Sequence, residues 1–115
     1  MLEGREIVMY GDGAQTRDFT YVHDIVDGLV LAPVAPAGTV MNLGGGNRVS
    51  LARAIESLGE IMGIEPLIAQ RPAEAGDVRD TWADVSLAQH AVCYEPSRQL
   101  STGLAAEVAW VAATR

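Results

Sequence analysis

The sequence contains no lysine, and all eight of its basic residues are arginines. This absence excludes a lysine Schiff base, a phosphate-loop lysine and a tyrosine–lysine proton relay among these residues. Cys93 is the only cysteine, so the sequence holds no internal disulfide and no cysteine-based zinc site. We expect Cys93 to be a small, half-buried apolar residue, as free cysteines usually are.

Positive charge is scarce, since 8 basic residues face 15 acidic ones and the formal net charge is −7. The chain therefore has no basic field for nucleic acid or for an anionic membrane, and any anionic ligand must be captured locally. No apolar run approaches the roughly 20 residues that cross a membrane, and the first residues lack a signal-peptide core. We expect a cytoplasmic protein with no nucleic-acid and no membrane partner.

Hydrophobic periodicity and turn residues predict the α/β class, as a small α+β module of interleaved short strands and helices. The length of 115 residues fits one domain, residues 1–115, with one core. The predicted strands are residues 6–10, 17–22, 39–43 and 67–69. The predicted helices start at the caps Asp24, Ser50, Asp84 or Ser86, and Ser101, and end near Pro33, Gly63, Val92 and Ala112.

A glycine turn, Gly44-Gly45-Gly46, precedes the second predicted helix. It has no further glycine at the offset of a Gly-x-Gly-x-x-Gly fingerprint, so the sequence does not support a dinucleotide site. Together with Asn42, the turn is able to present backbone amides to an anion. A flexible strand-to-helix turn is an equally good interpretation.

Arg17 is the main candidate for binding an anion. In the stretch YGDGAQTRDFTYVHDIVDGL, residues 10–29, it follows a glycine-containing turn and opens a predicted strand. A guanidinium in that position is able to bind a phosphate bidentately. The alternative is a surface ion pair with Asp12 or Asp18 in a simple hairpin. Tyr10 offers a face on which a nucleobase stacks, or is a strand-end aromatic.

Residues 71–79 are polar and irregular, which is typical of a functional loop. Asp77 and Arg79 in this loop offer an acceptor for sugar hydroxyls and a second cation, or form a local ion pair with each other. His23 and His90 lack the i, i+4 partner of a helical metal site, so we expect neither to bind a metal. No Ser-His-Asp set or carboxylate pair indicates a catalytic centre.

Three stretches, in order, resemble the C-terminal part of the NAD-dependent epimerase/dehydratase family, the extended short-chain dehydrogenases that act on nucleotide sugars. They are IVMYGDGAQTRDFTYVHDIVDGL, VMNLGGGNRVSL and AGDVRDTWADVSLAQHAVCYEPSRQLSTGLAAEVAW. The last is most similar to UDP-glucuronate 4-epimerases and their decarboxylating relatives. The resemblance covers nearly the whole chain. It implies a substrate-binding lid domain that closes over a nucleotide sugar, without the Rossmann half that holds NAD.

The resemblance also implies roles for single residues. According to the resemblance, Arg17 contacts the diphosphate, Asp77 contacts the ribose, and Asn42 lies near the phosphates. Tyr10 and Phe19 lie near the base and ribose. Glu74 departs from the family, which commonly has Arg or Gln three residues before that aspartate. An acid facing a diphosphate repels it unless Arg71 or Arg79 compensates.

The family's NAD-binding half and its catalytic Tyr-x-x-x-Lys have no counterpart in this sequence. We therefore expect a truncated enzyme or a free-standing lid that binds a UDP-sugar or a related nucleotide sugar, with no catalytic residue, cofactor or metal of its own. The alternative is a non-catalytic interaction or assembly module that has kept the fold and lost the ligand. With 49% hydrophobic residues, we predict that a homo-oligomer or a separate Rossmann-domain partner covers apolar surface.

Overall fold

A computed structural model describes residues 1, 3–46 and 48–114. In these ranges short strands and helices alternate, which confirms the predicted α/β class. The strands are β1 (Ile7–Tyr10), β2 (Thr16–Asp18), β3 (Arg48–Ser50) and β4 (Ile68–Arg71). The α-helices are α1 (Val22–Leu31), α2 (Leu51–Met62), α3 (Ser86–Val92) and α4 (Leu100–Ala113), and a 3-10 turn (Ala32–Val34) follows α1.

The strands form two separate two-stranded sheets. β1 runs parallel to β4, which places Tyr10 beside Arg71. β2 runs antiparallel to β3, with Arg17 opposite Val49. β1 and β2 therefore belong to different sheets, and the alternative of a simple hairpin around Arg17 is wrong.

Helix α2 has the limits that its sequence predicts. The Ser50 side chain accepts a hydrogen bond from the backbone N–H of Arg53 at 3.2 Å and caps the helix. The helix ends at Gly63, whose φ of 64° is the left-handed conformation that glycine adopts without strain. Ile55 on this helix is buried.

Helix α1 starts earlier than predicted. Its N-cap is Tyr21, without a capping side chain, and Asp24 lies in the first turn. Asp24 does not cap because its carboxylate accepts from the Ser97 backbone N–H at 3.2 Å and from Arg98 at 2.8 Å. The expected cap Ser101 likewise lies inside α4, whose N-cap is Gln99.

The predicted strand at residues 39–43 does not form. The third strand is β3 instead, which follows the glycine turn. A strand requires a neighbour for its backbone groups, and no strand in the described part of the chain pairs with residues 39–43. Val40 in this segment is 87% exposed.

Cys93 is exposed, so the expectation of a half-buried residue is wrong. It ends α3 in the left-handed conformation, with φ 56° and ψ 38°. Its backbone N–H donates to the carbonyl of Gln89 at 3.1 Å and closes the helix.

The core is small for the size of the chain. Its centre is a cluster along α3 and its two flanks, formed by Val85, Ala88, Val92 and Tyr94. The Cα radius of gyration is 16.7 Å and the thickness only 19 Å, whereas a compact domain of this length has a radius of about 13 Å. One side of α1 leaves large apolar side chains exposed by 46 to 73%, namely Val22, Val26, Leu29 and Val30.

Candidate functional site

Arg17 lies on β2 and bonds to the loop that follows β4. Its Nη2 lies 2.7 Å from Asp77 Oδ1. Its Nη1 donates to the backbone carbonyls of Thr16 at 2.8 Å and Arg79 at 3.3 Å. The partner of Arg17 is therefore a residue 60 positions away, and neither of the local partners considered from the sequence.

A second ion pair holds the same loop. Arg79 donates to Asp12 with both terminal nitrogens, at 3.3 and 3.2 Å, so the alternative of a local Asp77–Arg79 pair is wrong. The backbone N–H of Ala14 and then Arg79 lower the pKa of the Asp12 carboxyl below its ordinary value. The Arg17–Asp77 pair fixes the loop against β2, and the Arg79–Asp12 pair fixes it against the turn after β1.

The predicted site residues line two neighbouring concavities. Tyr10 and Asp77, together with Glu74, line one of about 440 Å³. Arg17 and Asn42 line the other, of about 550 Å³. The Arg17–Asp77 pair connects the two. Asn42 is anchored because its Nδ2 donates to the carbonyl of Asp84 at 3.2 Å.

Phe19 lies elsewhere. It lines an apolar groove of about 510 Å³ between the start of α1 and α4, with neighbours that include Tyr21 and Trp110. The structure does not bring its ring into the two concavities that Tyr10, Asp77, Arg17 and Asn42 line.

The sequence did not indicate the role of Asp18. Its Oδ1 accepts from the backbone N–H of Gly45 and its Oδ2 from that of Ala83, both at 3.1 Å. Thr20 Oγ1 also accepts from the Gly45 N–H, at 2.8 Å. The predicted strand at residues 17–22 includes Asp18 and Thr20, but a strand prediction does not identify the partners of their side chains.

The glycine turn is built for close packing. A Cβ on Gly45 would lie 2.8 Å from the carbonyl oxygen of Phe19, and one on Gly44 would lie 2.5 Å from the Ala83 Cβ. The Gly44 carbonyl accepts from the hydroxyl of buried Tyr94 at 2.9 Å. The Gly45 amide therefore bonds to two side chains of β2 and the residues after it, Asp18 and Thr20.

Trp82 borders both the concavity of Arg17 and an adjoining one. It is 61% exposed, and the Arg48 guanidinium lies 4.9 Å from the centre of its ring. This distance allows a cation–π interaction. Sequence reasoning did not single out either residue.

The histidines and acidic residues form no metal centre in the described ranges, where no group of three or more His, Cys, Asp or Glu could hold a metal ion. His23 stacks on Tyr21 with ring centres 5.0 Å apart, and His90 Nδ1 lies 2.6 Å from the carbonyl of Ser86. No helix among the same residues is long and apolar enough to cross a membrane.

Comparison with known proteins agrees with the motifs. A model of the NAD-dependent epimerase/dehydratase family matches residues 1–44. An uncharacterized UDP-glucose epimerase of Bacillus subtilis is 34% identical over 96% of this chain and 35% of its own length. A UDP-glucuronate 4-epimerase of Thermodesulfobacterium geofontis is 38% identical over 94% of the chain and 34% of its own length.

Solved structures give the same result. The UDP-glucuronic acid 4-epimerase of Bacillus cereus, in complex with UDP-glucuronic acid and NAD, matches 99% of this chain with 35% identity and a TM-score of 0.91. The match covers 37% of that chain, so our chain spans little more than a third of the relatives that it matches. By its motifs, relatives and fold, the chain matches part of the enzymes of the NAD-dependent epimerase/dehydratase family.

Proposed function

We propose that residues 1–115 are the C-terminal, nucleotide-sugar-binding domain of a protein that resembles UDP-sugar 4-epimerases. One observation carries the proposal: 99% of the chain matches, with a TM-score of 0.91, a structure solved with UDP-glucuronic acid and NAD. The ligand would be a UDP-sugar or a related nucleotide sugar.

The two concavities suggest how such a ligand lies. Arg17 stands at their junction, where a diphosphate would meet its guanidinium. The nucleoside would enter the concavity of Tyr10, with its base on the ring, which is 44% exposed, and its ribose near the carboxylate of Asp77. Asn42 would face the phosphates from the other side. In this pose a single ligand would extend through both concavities.

Two of the predicted contacts stand apart from this pose. Arg79 lies in the same loop but bonds to Asp12, so the pose gives it no direct contact with the ligand. Phe19 lies in the groove beside α4, and the pose gives it no contact with the ligand.

We propose that the chain binds and orients its ligand without catalysing a reaction on its own. The family's chemistry uses Tyr-x-x-x-Lys, and these residues include no lysine. Hydride transfer to and from NAD would require groups from outside this chain. The domain's own contribution would be to hold the diphosphate and ribose so that the sugar is presented to them.

The exposed apolar surface supports a partner. Apolar side chains on one side of α1 are exposed by 46 to 73%, and residues 39–43 pair with no strand in the described part of the chain. Patches of this kind mark interfaces. The partner would be a Rossmann domain or a second copy of the chain, in the cytoplasm.

The test is a titration of the 115-residue chain with UDP to millimolar concentration, followed by backbone amide NMR. The proposal expects shifts that cluster on Tyr10, Arg17, Asn42 and Asp77. The alternative, an interaction module that has lost its ligand, expects no clustered shifts. Calorimetric NAD binding, or turnover of UDP-glucuronate by the chain alone, would contradict a domain that only binds.

A further inference from the structure

Asp77 is bonded to the guanidinium of Arg17, the group to which the proposed function assigns the binding of a diphosphate. Arg17 Nη2 lies 2.7 Å from Asp77 Oδ1, and the two side chains are 36% and 42% exposed. Arg17 Nη1 donates to the carbonyls of Thr16 and Arg79. Both terminal nitrogens are thus bonded within the chain. An anion that reaches Nη2 has to compete with a carboxylate for it.

The displaced carboxylate would have no other cation in its own concavity. In the described lining of that concavity there is no arginine, and the charged residues are Glu74 and Asp77. Arg79, the next guanidinium along the loop, bonds to Asp12. A carboxylate that has lost Arg17 therefore regains hydrogen bonds from neutral donors, which are water and a hydroxyl of the ligand.

We propose that Asp77 is a specificity-determining residue, which weakens the binding of simple anions to Arg17 and favours ligands that carry a sugar hydroxyl beside the phosphate. The inference rests on the proposed function, because it takes Arg17 and Asp77 as ligand contacts. Inorganic pyrophosphate replaces Asp77 on Arg17 and then faces its carboxylate, so like charges repel. A nucleotide replaces Asp77 on Arg17 and offers the carboxylate a ribose hydroxyl in return.

Asp77→Asn tests this inference because it removes the charge and keeps the shape. The full chain and the variant are titrated with sodium pyrophosphate and with UDP, and binding is measured by arginine side-chain and backbone NMR. Glu56→Gln is the matched control: it also removes one carboxylate beside an arginine, and Arg53 keeps Glu60 as its partner. The net charge of the two variants is then equal.

We expect Asp77→Asn to bind pyrophosphate about two- to fivefold more tightly, the ratio that corresponds to an exposed ion pair. The ratio of UDP affinity to pyrophosphate affinity should fall by about tenfold, since a bond to a charged acceptor is also lost. Glu56→Gln should leave both affinities unchanged.

Pyrophosphate binding that is unchanged or weaker in Asp77→Asn would overturn the inference, because Asp77 would then not compete for Arg17. If the parent chain still binds UDP in that case, the proposed function stands and only the role of Asp77 fails. If the parent chain shows no UDP shifts at all, the proposed function fails, and with it the selection of a nucleotide.

Discussion

Asp24 and Arg98 form an ion pair across 74 residues of sequence, with Arg98 Nη1 2.8 Å from Asp24 Oδ1. The carboxylate side chain is 1% exposed and the guanidinium side chain 33%. Asp27 on the same helix accepts from the same nitrogen. The pair connects α1 to the segment that leads into α4, and so holds together two parts of the chain that are distant in sequence.

Arg98→Met should destabilise the chain by about 2 kcal/mol or more, because it leaves a buried carboxylate without its charged donor. Methionine keeps much of the apolar stem, so the loss reports the charge and its hydrogen bonds. Urea unfolding at neutral pH measures the effect. Arg53→Met on the surface of α2 is the control and should change stability by less than about 0.5 kcal/mol. Equal losses in the two variants would contradict the role of the pair.

Acid should weaken the same pair. Burial raises the pKa of Asp24, but the hydrogen bonds from Arg98 and Ser97 outweigh it and leave the pKa below the ordinary value of 3.8. A carboxyl whose pKa is lower in the folded chain stabilises the fold fully above its unfolded pKa and loses that contribution as the pH falls through the folded pKa. Stability should thus decline below about pH 4, and less steeply in Asp24→Asn. Identical slopes in urea unfolding between pH 2 and 5 would contradict this.

Sequence reasoning succeeded where the determinants of structure are local. The limits of α2 follow from Ser50, which caps its start, and from Gly63, which ends it in the left-handed conformation. Both signals lie within the helix or next to it. The same reasoning assigned residues 71–79 to a loop, because their polar, Pro- and Gly-containing sequence favours no regular element. The loop starts one residue later, since Arg71 ends β4.

Prediction from the sequence failed where a residue distant in sequence determines the local structure. Asp24 is a residue type that commonly caps helices, but Arg98, 74 residues further along the chain, binds its carboxylate. Residues 39–43 have the pattern of a strand, yet strand formation depends on a neighbour that sequence does not reveal. The partner of Arg17 could not be predicted for the same reason, since Asp77 reaches it only through the fold.

Asp18→Asn should destabilise the chain by about 1 to 3 kcal/mol. Both carboxylate oxygens accept from backbone N–H groups, of Gly45 and Ala83. Asparagine offers one oxygen, so its NH₂ group would face the second N–H as donor against donor. Thermal unfolding measures the loss, with Glu56→Gln as the charge-matched control. Parent-like stability in Asp18→Asn would show that these bonds do not hold the glycine turn.

Cys93→Gly should stabilise the chain by about 0.5 to 1 kcal/mol. The left-handed backbone at this position strains any side chain with a Cβ, and glycine relieves that strain at some entropic cost in the unfolded chain. Cys93→Ala removes the thiol but keeps the Cβ, and should show no comparable gain. Denaturation in urea under reducing conditions distinguishes the two. A loss of stability in Cys93→Gly would contradict the prediction.

The most direct test of the account is UDP binding by Arg17→Ala, measured by amide NMR at millimolar UDP. Loss of a charge-assisted hydrogen bond should weaken binding by about 1.5 to 3 kcal/mol, while stability changes by less than about 1 kcal/mol. Arg17→Lys should restore only part of the affinity, because the planar fork is lost, and Arg53→Ala should bind like the parent. UDP shifts that persist unchanged in Arg17→Ala, or that lie away from Tyr10, Asn42 and Asp77, would contradict a diphosphate site at Arg17.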